Sequence, residues 1–353
     1  MMKGSVQAAP ARRFDLDLIR ACAAVLVLAV HFFLNTGFYR FPMQGGGMFL
    51  STVLRMACTT CVPLFMLLTG YLCSLQQWSW RYYRRLLPIL LTYLFAALAC
   101  LGFRIFARYE AMSLLGVLRR ILDFSAAPYA WYVEMYIGLF LLIPFLNALW
   151  GALEQKPKMV LLLSLTVMTS LPAITNLFGQ ILPDWWCGMY PLTYYMVGAW
   201  LREHPIRIKR RWLFAGWILL SLAVAAIRFV LNHGGIFVWS KLSDWESIFV
   251  LAEAVCLFSL LLQCKGERCP NAVRWCIGRI ARLALPIYLV SYITDQTIYP
   301  PLCAAFPTMT SQLPFMPLMV VLSLLISGIM AQLIDWIVGA MMKLVPHAKK
   351  ETL

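Results

Sequence analysis

Charge is what this chain has least of. Only 13% of its 353 residues are Asp, Glu, Lys or Arg, against roughly 25% in an ordinary soluble protein. Nowhere do those charges gather into a polar block long enough to fold alone, so a separate soluble module is excluded. No Walker loop, His-Glu-x-x-His or Gly-x-Ser-x-Gly segment is present, which leaves those phosphate-binding, zinc-hydrolase and serine-hydrolase plans without their motifs. No internal repeat is evident, and this disfavours the common transporter plans built on repeated halves. The polar N-terminus lacks an Ala-x-Ala-type cleavage site, so no signal peptide is expected.

Apolar residues make up 62% of the chain, and the mean hydropathy is +0.76. Counting windows of about 20 apolar residues gives ten spans: 16–37, 48–72, 86–103, 129–150, 158–178, 188–201, 212–232, 246–263, 283–299 and 315–342. The sixth is short and the last long. The segment 111–124, carrying Arg119 and Arg120, reads as an interfacial amphipathic helix. The expected fold is therefore an all-α integral membrane protein of about ten transmembrane helices. Its domains are a cytoplasmic segment 1–15, a membrane domain 16–342 and a cytoplasmic tail 343–353.

The net charge of +15 finds its explanation in the bilayer, and no nucleic-acid partner is expected. With the N-terminus inside, alternating loops place 21 Lys and Arg residues inside and 6 outside, so both termini are expected in the cytoplasm. The exception is the outer loop with Arg104, Arg108, Arg119 and Arg120, which is read as folding back towards a site. Eleven cysteines lie mostly in apolar runs, where Cys acts as a small hydrophobe. Cys58 and Cys61 have redox or metal spacing but no second pair, so they are read as packing and no metal is expected.

Against this background, Asp17, Arg20 and His31 in the first span stand out. An ionisable group in a span costs on the order of 2.5–3.5 kcal/mol on insertion scales and usually marks function. Eleven residues separate Arg20 from His31, about three turns, so both project from one stripe roughly 16 Å apart along the axis. Asp17 shares that face. A relay between Asp17 and His31 is excluded by the distance. The geometry permits an anion-binding end at Arg20 and a general base at His31. The plainer alternative is a structural Asp17–Arg20 pair with His31 satisfied by a neighbouring helix.

Two other clusters carry chemistry. Arg81, Arg84 and Arg85 sit where the third span begins, and arginine forks suit phosphate; the same residues also serve as an ordinary basic anchor. Trp131 and Glu134 open the fourth span on the outer side, where an aromatic belt is ordinary but an acid is not. Glu253 and Asp295 are further intramembrane acids, each able to pair with Arg55 or Arg228.

The run Arg13-Phe-Asp-Leu-Asp17-Leu-Ile-Arg20 through Val30-His31 resembles the opening of the membrane-bound acyltransferase-3 family, including its Arg-x10-His spacing. Val62-Pro63 to Gly70-Tyr71, Arg81 to Pro88, Ala130-Trp131-Tyr132 with Pro144, and Tyr194 to Ala199 are similar to its later blocks, in order. One departure is clear: Ser291 stands in Tyr288-Leu289-Val290-Ser291 where the family often has His, and serine cannot shuttle a proton as histidine does.

The resemblance implies an integral membrane O-acyltransferase, with no bound cofactor, in the plasma (inner) membrane. It would move an acyl group, most often acetyl, from cytoplasmic acyl-CoA to a glycan or glycolipid hydroxyl. It implies donor phosphates at Arg81, Arg84 and Arg85, a thioester entering past Arg20, His31 as base, Asp17 orienting Arg20, and Trp131 and Glu134 near the acceptor. The fused hydrolase-like domain of some members is not expected. The competing readings are a transporter of a small solute along the same polar stripe and a non-catalytic scaffold.

Overall fold

The computed structural model describes residues 13–176 and 179–344. The segment before Arg13, the last residues of the expected 158–178 span, and the tail after Leu344 lie outside the described residues. The described chain is helical, with two isolated β-bridges, Pro42–Ile236 and Met43–His233, joining the loops after the first and seventh spans.

The helices are α1 (Phe14–Asn35), α2 (Gly45–Thr59), α3 (Cys61–Cys73), α4 (Trp80–Tyr83), α5 (Leu86–Phe106), α6 (Leu114–Leu122) and α7 (Trp131–Ala152). They continue as α8 (Gln155–Thr175), α9 (Tyr190–Glu203), α10 (Arg210–Leu231), α11 (Ile248–Leu262), α12 (Asn271–Ala305), α13 (Met309–Gln312) and α14 (Met316–Leu344). Among the described residues, nine helical segments are long and apolar enough to cross a bilayer, α2 and α3 together forming one. The tenth expected span is α9. Its 14 residues reach about 21 Å, and the preceding 3₁₀ turn Asp184–Met189 adds roughly 12 Å. Together they approach the ~30 Å of a hydrocarbon core.

Helix α1 runs through the middle of the bundle, packed by α2, α3, α11, α12 and α14. Its surroundings are apolar: Ile19, Ala23, Leu28, Phe32 and Phe33 are buried. At the periphery Leu163, Leu219 and Ile329 are more than half exposed, as side chains facing lipid would be. Helices α3 and α9 cross with backbones in contact. A Cβ on Gly70 would overlap the Tyr195 carbonyl, and one on Gly198 would overlap the Leu67 carbonyl. Only glycine at both positions allows this approach.

The expected ninth span, 283–299, is the apolar middle of a longer helix. Helix α12 has 35 residues, about 52 Å, and begins twelve residues earlier. Hydropathy stops at the arginines, but helix formation does not, since Arg and Ala are good helix formers. This extension is tied to α14 by Arg282–Asp335 at 2.9 Å and by a hydrogen bond from Arg279 to Gln332. The amphipathic segment expected at 111–124 is α6, all of whose residues keep some exposure.

Candidate active site

Helix α1 starts with Asp15 and Asp17 in its first turn, where carboxylates complement the exposed N–H groups. Asp17 Oδ1 lies 3.7 Å from Arg20 Nη1, so the acid steadies the guanidinium one turn on. Arg20 lines a cavity of about 400 Å³ between α1, α3, α7 and α12. A second arginine, Arg282 of α12, lines the same cavity. Apart from Thr69, its other walls are apolar or aromatic, among them Val27, Phe65, Tyr132, Tyr136 and Tyr288. Cys73 also lines it, and the charges of Arg20, Arg85 and Arg202 all bear on that residue. The cavity is thus cationic at one end and aromatic at the other.

Val27, on the cavity wall, is one turn before His31 on the same face. Tyr288 closes this inner end, with its ring centroid 6.0 Å from that of His31. His31 is 6% exposed. Its Nδ1 is 3.2 Å from Asp295 Oδ2 and 3.2 Å from Ser291 Oγ. Ser291 donates its own proton to the Tyr288 carbonyl at 2.8 Å, so towards the imidazole it is an acceptor. Asp295 collects further donors: Tyr129 Oη at 3.0 Å, Asn35 Nδ2 at 3.4 Å and Ser323 Oγ at 3.2 Å. Every one of these groups can donate to the carboxyl, so its two oxygens are satisfied inside the bundle.

These contacts assign the tautomer. Two acceptors face Nδ1, so the ring proton is assigned there and the lone pair to Nε2. A buried carboxylate holding Nδ1–H fixes the orientation of an imidazole ring. The ring is also held from the side by Tyr129, whose centroid is 3.9 Å away.

Tyr129 comes from the segment between α5 and α7, the last part of which folds into the bundle. Ala126, Ala127 and Ala130 are fully buried. Arg104 grips Glu110 through Nε and Nη2, the latter at 2.8 Å, and donates to the Ser125 carbonyl at 3.3 Å. These bonds hold the Glu110 carboxyl below its ordinary range. Arg108 donates to Gln296, the neighbour of Asp295.

The remaining expected residues are more dispersed. Arg81, Arg84 and Arg85 are exposed and none lines the cavity; Arg85 donates to Gln76 at 2.8 Å, beside the Cys73 end of α3. Trp131 stacks on Trp245 at 4.5 Å. Glu134 is exposed and does not reach the cavity. Asp295 pairs with His31 rather than with Arg55 or Arg228. Arg55 instead donates to Tyr39 at 3.2 Å and to the Ser243 carbonyl at 3.1 Å, between Phe237 and Trp239. Arg228 donates to the Val238 carbonyl. Cys58 and Cys61 are buried free thiols, and no group of potential metal ligands occurs among the described residues.

Sequence reasoning missed Tyr129, Asn35, Ser323 and Arg282. A family model described as an acyltransferase domain matches residues 13–332. The chain belongs to the acyltransferase-3 family. The match begins at Arg13 and takes in α1 through most of α14, so Arg20, His31 and Asp295 all fall inside it. No curated protein and no solved structure matches the chain. Family and fold together support a multi-pass membrane acyltransferase.

Proposed function

We propose that the protein is an O-acyltransferase of the plasma (inner) membrane that moves an acetyl group from cytoplasmic acetyl-CoA to a hydroxyl of a cell-surface glycan or glycolipid. The observation that carries this is the His31–Asp295 pair one turn beyond a cavity whose opposite end holds Arg20 and Arg282. With the N-terminus inside, which the Lys and Arg distribution supports, those arginines face the compartment that holds the donor.

The chemistry follows from the residues present. The arginines neutralise donor phosphates while the acyl arm enters the apolar cavity. His31 Nε2 takes the proton of the acceptor hydroxyl as its oxygen attacks the thioester carbonyl. Asp295 stabilises the imidazolium so formed. When the C–S bond breaks, the leaving thiolate takes that proton and departs as free thiol. Arg81, Arg84 and Arg85 form a cationic approach outside the cavity, and Trp131 with Glu134 an acceptor face on the outer side.

Mass spectrometry of cell-surface glycans, with and without the gene, tests the reading, together with consumption of labelled acetyl-CoA by purified protein. Loss of acetylation without the gene, and with His31→Ala, is expected. Solute uptake into liposomes without any donor, with glycans unchanged, would replace it by transport. A His31→Ala variant with normal turnover would remove the base.

A further inference from the structure

A second cavity, of about 630 Å³, lies beside the first at the same end of the bundle. Tyr71 of α3 faces it, whereas Leu72 and Cys73 face the Arg20 cavity. Four cations line it: Arg13 from the start of α1, Arg207 and Lys209 from the loop between α9 and α10, and Lys265 beyond α11. One acid offsets them. Asp15 lies 2.6 Å from Arg13 and 3.4 Å from Lys265, so it is shared by those two. Arg207 and Lys209 have no acidic partner among the described residues.

The floor of the cavity supplies an independent observation. Ser259 of α11 lines it, is 3% exposed, and its hydroxyl makes no hydrogen bond. A buried hydroxyl left in this way costs free energy that a ligand accepting its proton would recover. The loop carrying the cations is pinned: Gln263 Nε2 donates to the Ile208 carbonyl at 2.9 Å, and Arg210 donates to the Gln263 carbonyl. The cations are therefore presented on a fixed rim.

We propose that this second cavity binds a phosphate ester, held by Arg207 and Lys209 and accepting a hydrogen bond from Ser259. Arginine and lysine together with a neutral hydroxyl donor suit a phosphate, which offers several acceptor oxygens and more than one charge. Ile206 and Leu262 on the walls would cover the apolar or ring-bearing body attached to it. Two sources offer this chemistry at a membrane face: the nucleotide end of a coenzyme-A-type molecule, or the headgroup of an anionic phospholipid. The site does not depend on acyl transfer and would remain if the protein were a transporter.

The test is calorimetric titration of the purified full chain with adenosine 3′,5′-bisphosphate, and separately with short-chain phosphatidylglycerol against phosphatidylcholine. The proteins compared are wild type, the double variant Arg207→Gln/Lys209→Gln, and Ser259→Ala, each with its melting temperature measured. One probe is expected to bind. The double variant should weaken it at least tenfold and Ser259→Ala several-fold, with melting temperatures kept and with binding that weakens in salt. Binding of the bisphosphate identifies the nucleotide source; preference for phosphatidylglycerol identifies the lipid. Binding of neither probe, or binding equally tight in the double variant, overturns the site.

Discussion

His31 Nδ1 and Asp295 Oδ2 lie 3.2 Å apart, contributed by α1 and α12. The pair gives the imidazole a defined tautomer, and the first expectation concerns that role. Asp295→Asn keeps the shape but replaces an acceptor with an amide able to turn its NH₂ towards Nδ1, freeing the wrong ring nitrogen. Turnover should fall by about 10⁴, as loss of the orienting carboxylate does in serine-protease triads, with KM for the donor little changed. Wild-type kcat in a correctly folded variant would show that the pair is structural.

Ser291 offers a weaker contact to the same nitrogen. Ser291→Ala leaves Asp295 in place and removes one neutral hydrogen bond, worth about 0.5–1.5 kcal/mol. Activity should drop by about tenfold at most. A loss as deep as that of Asp295→Asn would make the serine an obligatory proton carrier.

The two cavity arginines should act on the donor rather than on the base. Arg20→Ala and Arg282→Ala are each expected to raise KM for acyl-CoA by tenfold or more, from about 1.5–3 kcal/mol per charge-assisted contact. Arg282→Ala also releases Asp335 and Arg20→Ala releases Asp17, so a modest fall in melting temperature is expected in both. Unchanged KM in both variants would place the donor elsewhere.

The α3–α9 crossing should be intolerant of a single methyl group. Gly70→Ala or Gly198→Ala drives a Cβ into a facing carbonyl, an overpacking that costs about 1–3 kcal/mol or more. Thermal unfolding should shift downward in both, whereas Gly138→Ala, whose added Cβ meets nothing, should be neutral or stabilising.

The loop that delivers Tyr129 should loosen in acid. Arg104 holds the Glu110 carboxyl below its ordinary range. The depressed pKa belongs to the folded state, so the stabilisation is fully present above the unfolded value near 4.3. It is lost as pH falls through the lower folded value. Hydrogen exchange at Ala126 and Ala127 should quicken over that acid range in the wild type. In Glu110→Gln exchange should be fast at neutral pH and show no such acid step. An identical pH response in the variant would remove Glu110 from the loop's support.

The spans were legible because lipid imposes long apolar runs; nine of the expected ten reappear within a few residues, and α12 differs by running on through the arginines before 283 and to Ala305 beyond 299, where hydropathy does not follow the helix. The α1 stripe was legible because ionisable groups in such a run are rare. The partner of His31 was not. Asp295 was visible as an intramembrane acid, but a linear sequence carries no information about which of two arginines or one histidine it meets across the bundle. Tyr129 was hidden for another reason: it lies among belt-type aromatics, and only the inward fold of its loop separates it from Trp131. Arg282 read as part of a cytoplasmic charge run until the helix was seen to carry it into the cavity wall.

Helices α1 and α12 run side by side, each bearing an arginine and, further along, a member of the histidine–carboxylate pair. The intervals are 11 residues from Arg20 to His31 and 13 from Arg282 to Asp295, about 16 and 20 Å of helix rise. The gap between the arginines and the histidine–carboxylate pair is therefore set by helices instead of by loops, and on the proposed reading the site acts as a gauge. A thioester whose arm is too short to bridge that interval from its charged end would be rejected by its length, however well either end fitted alone.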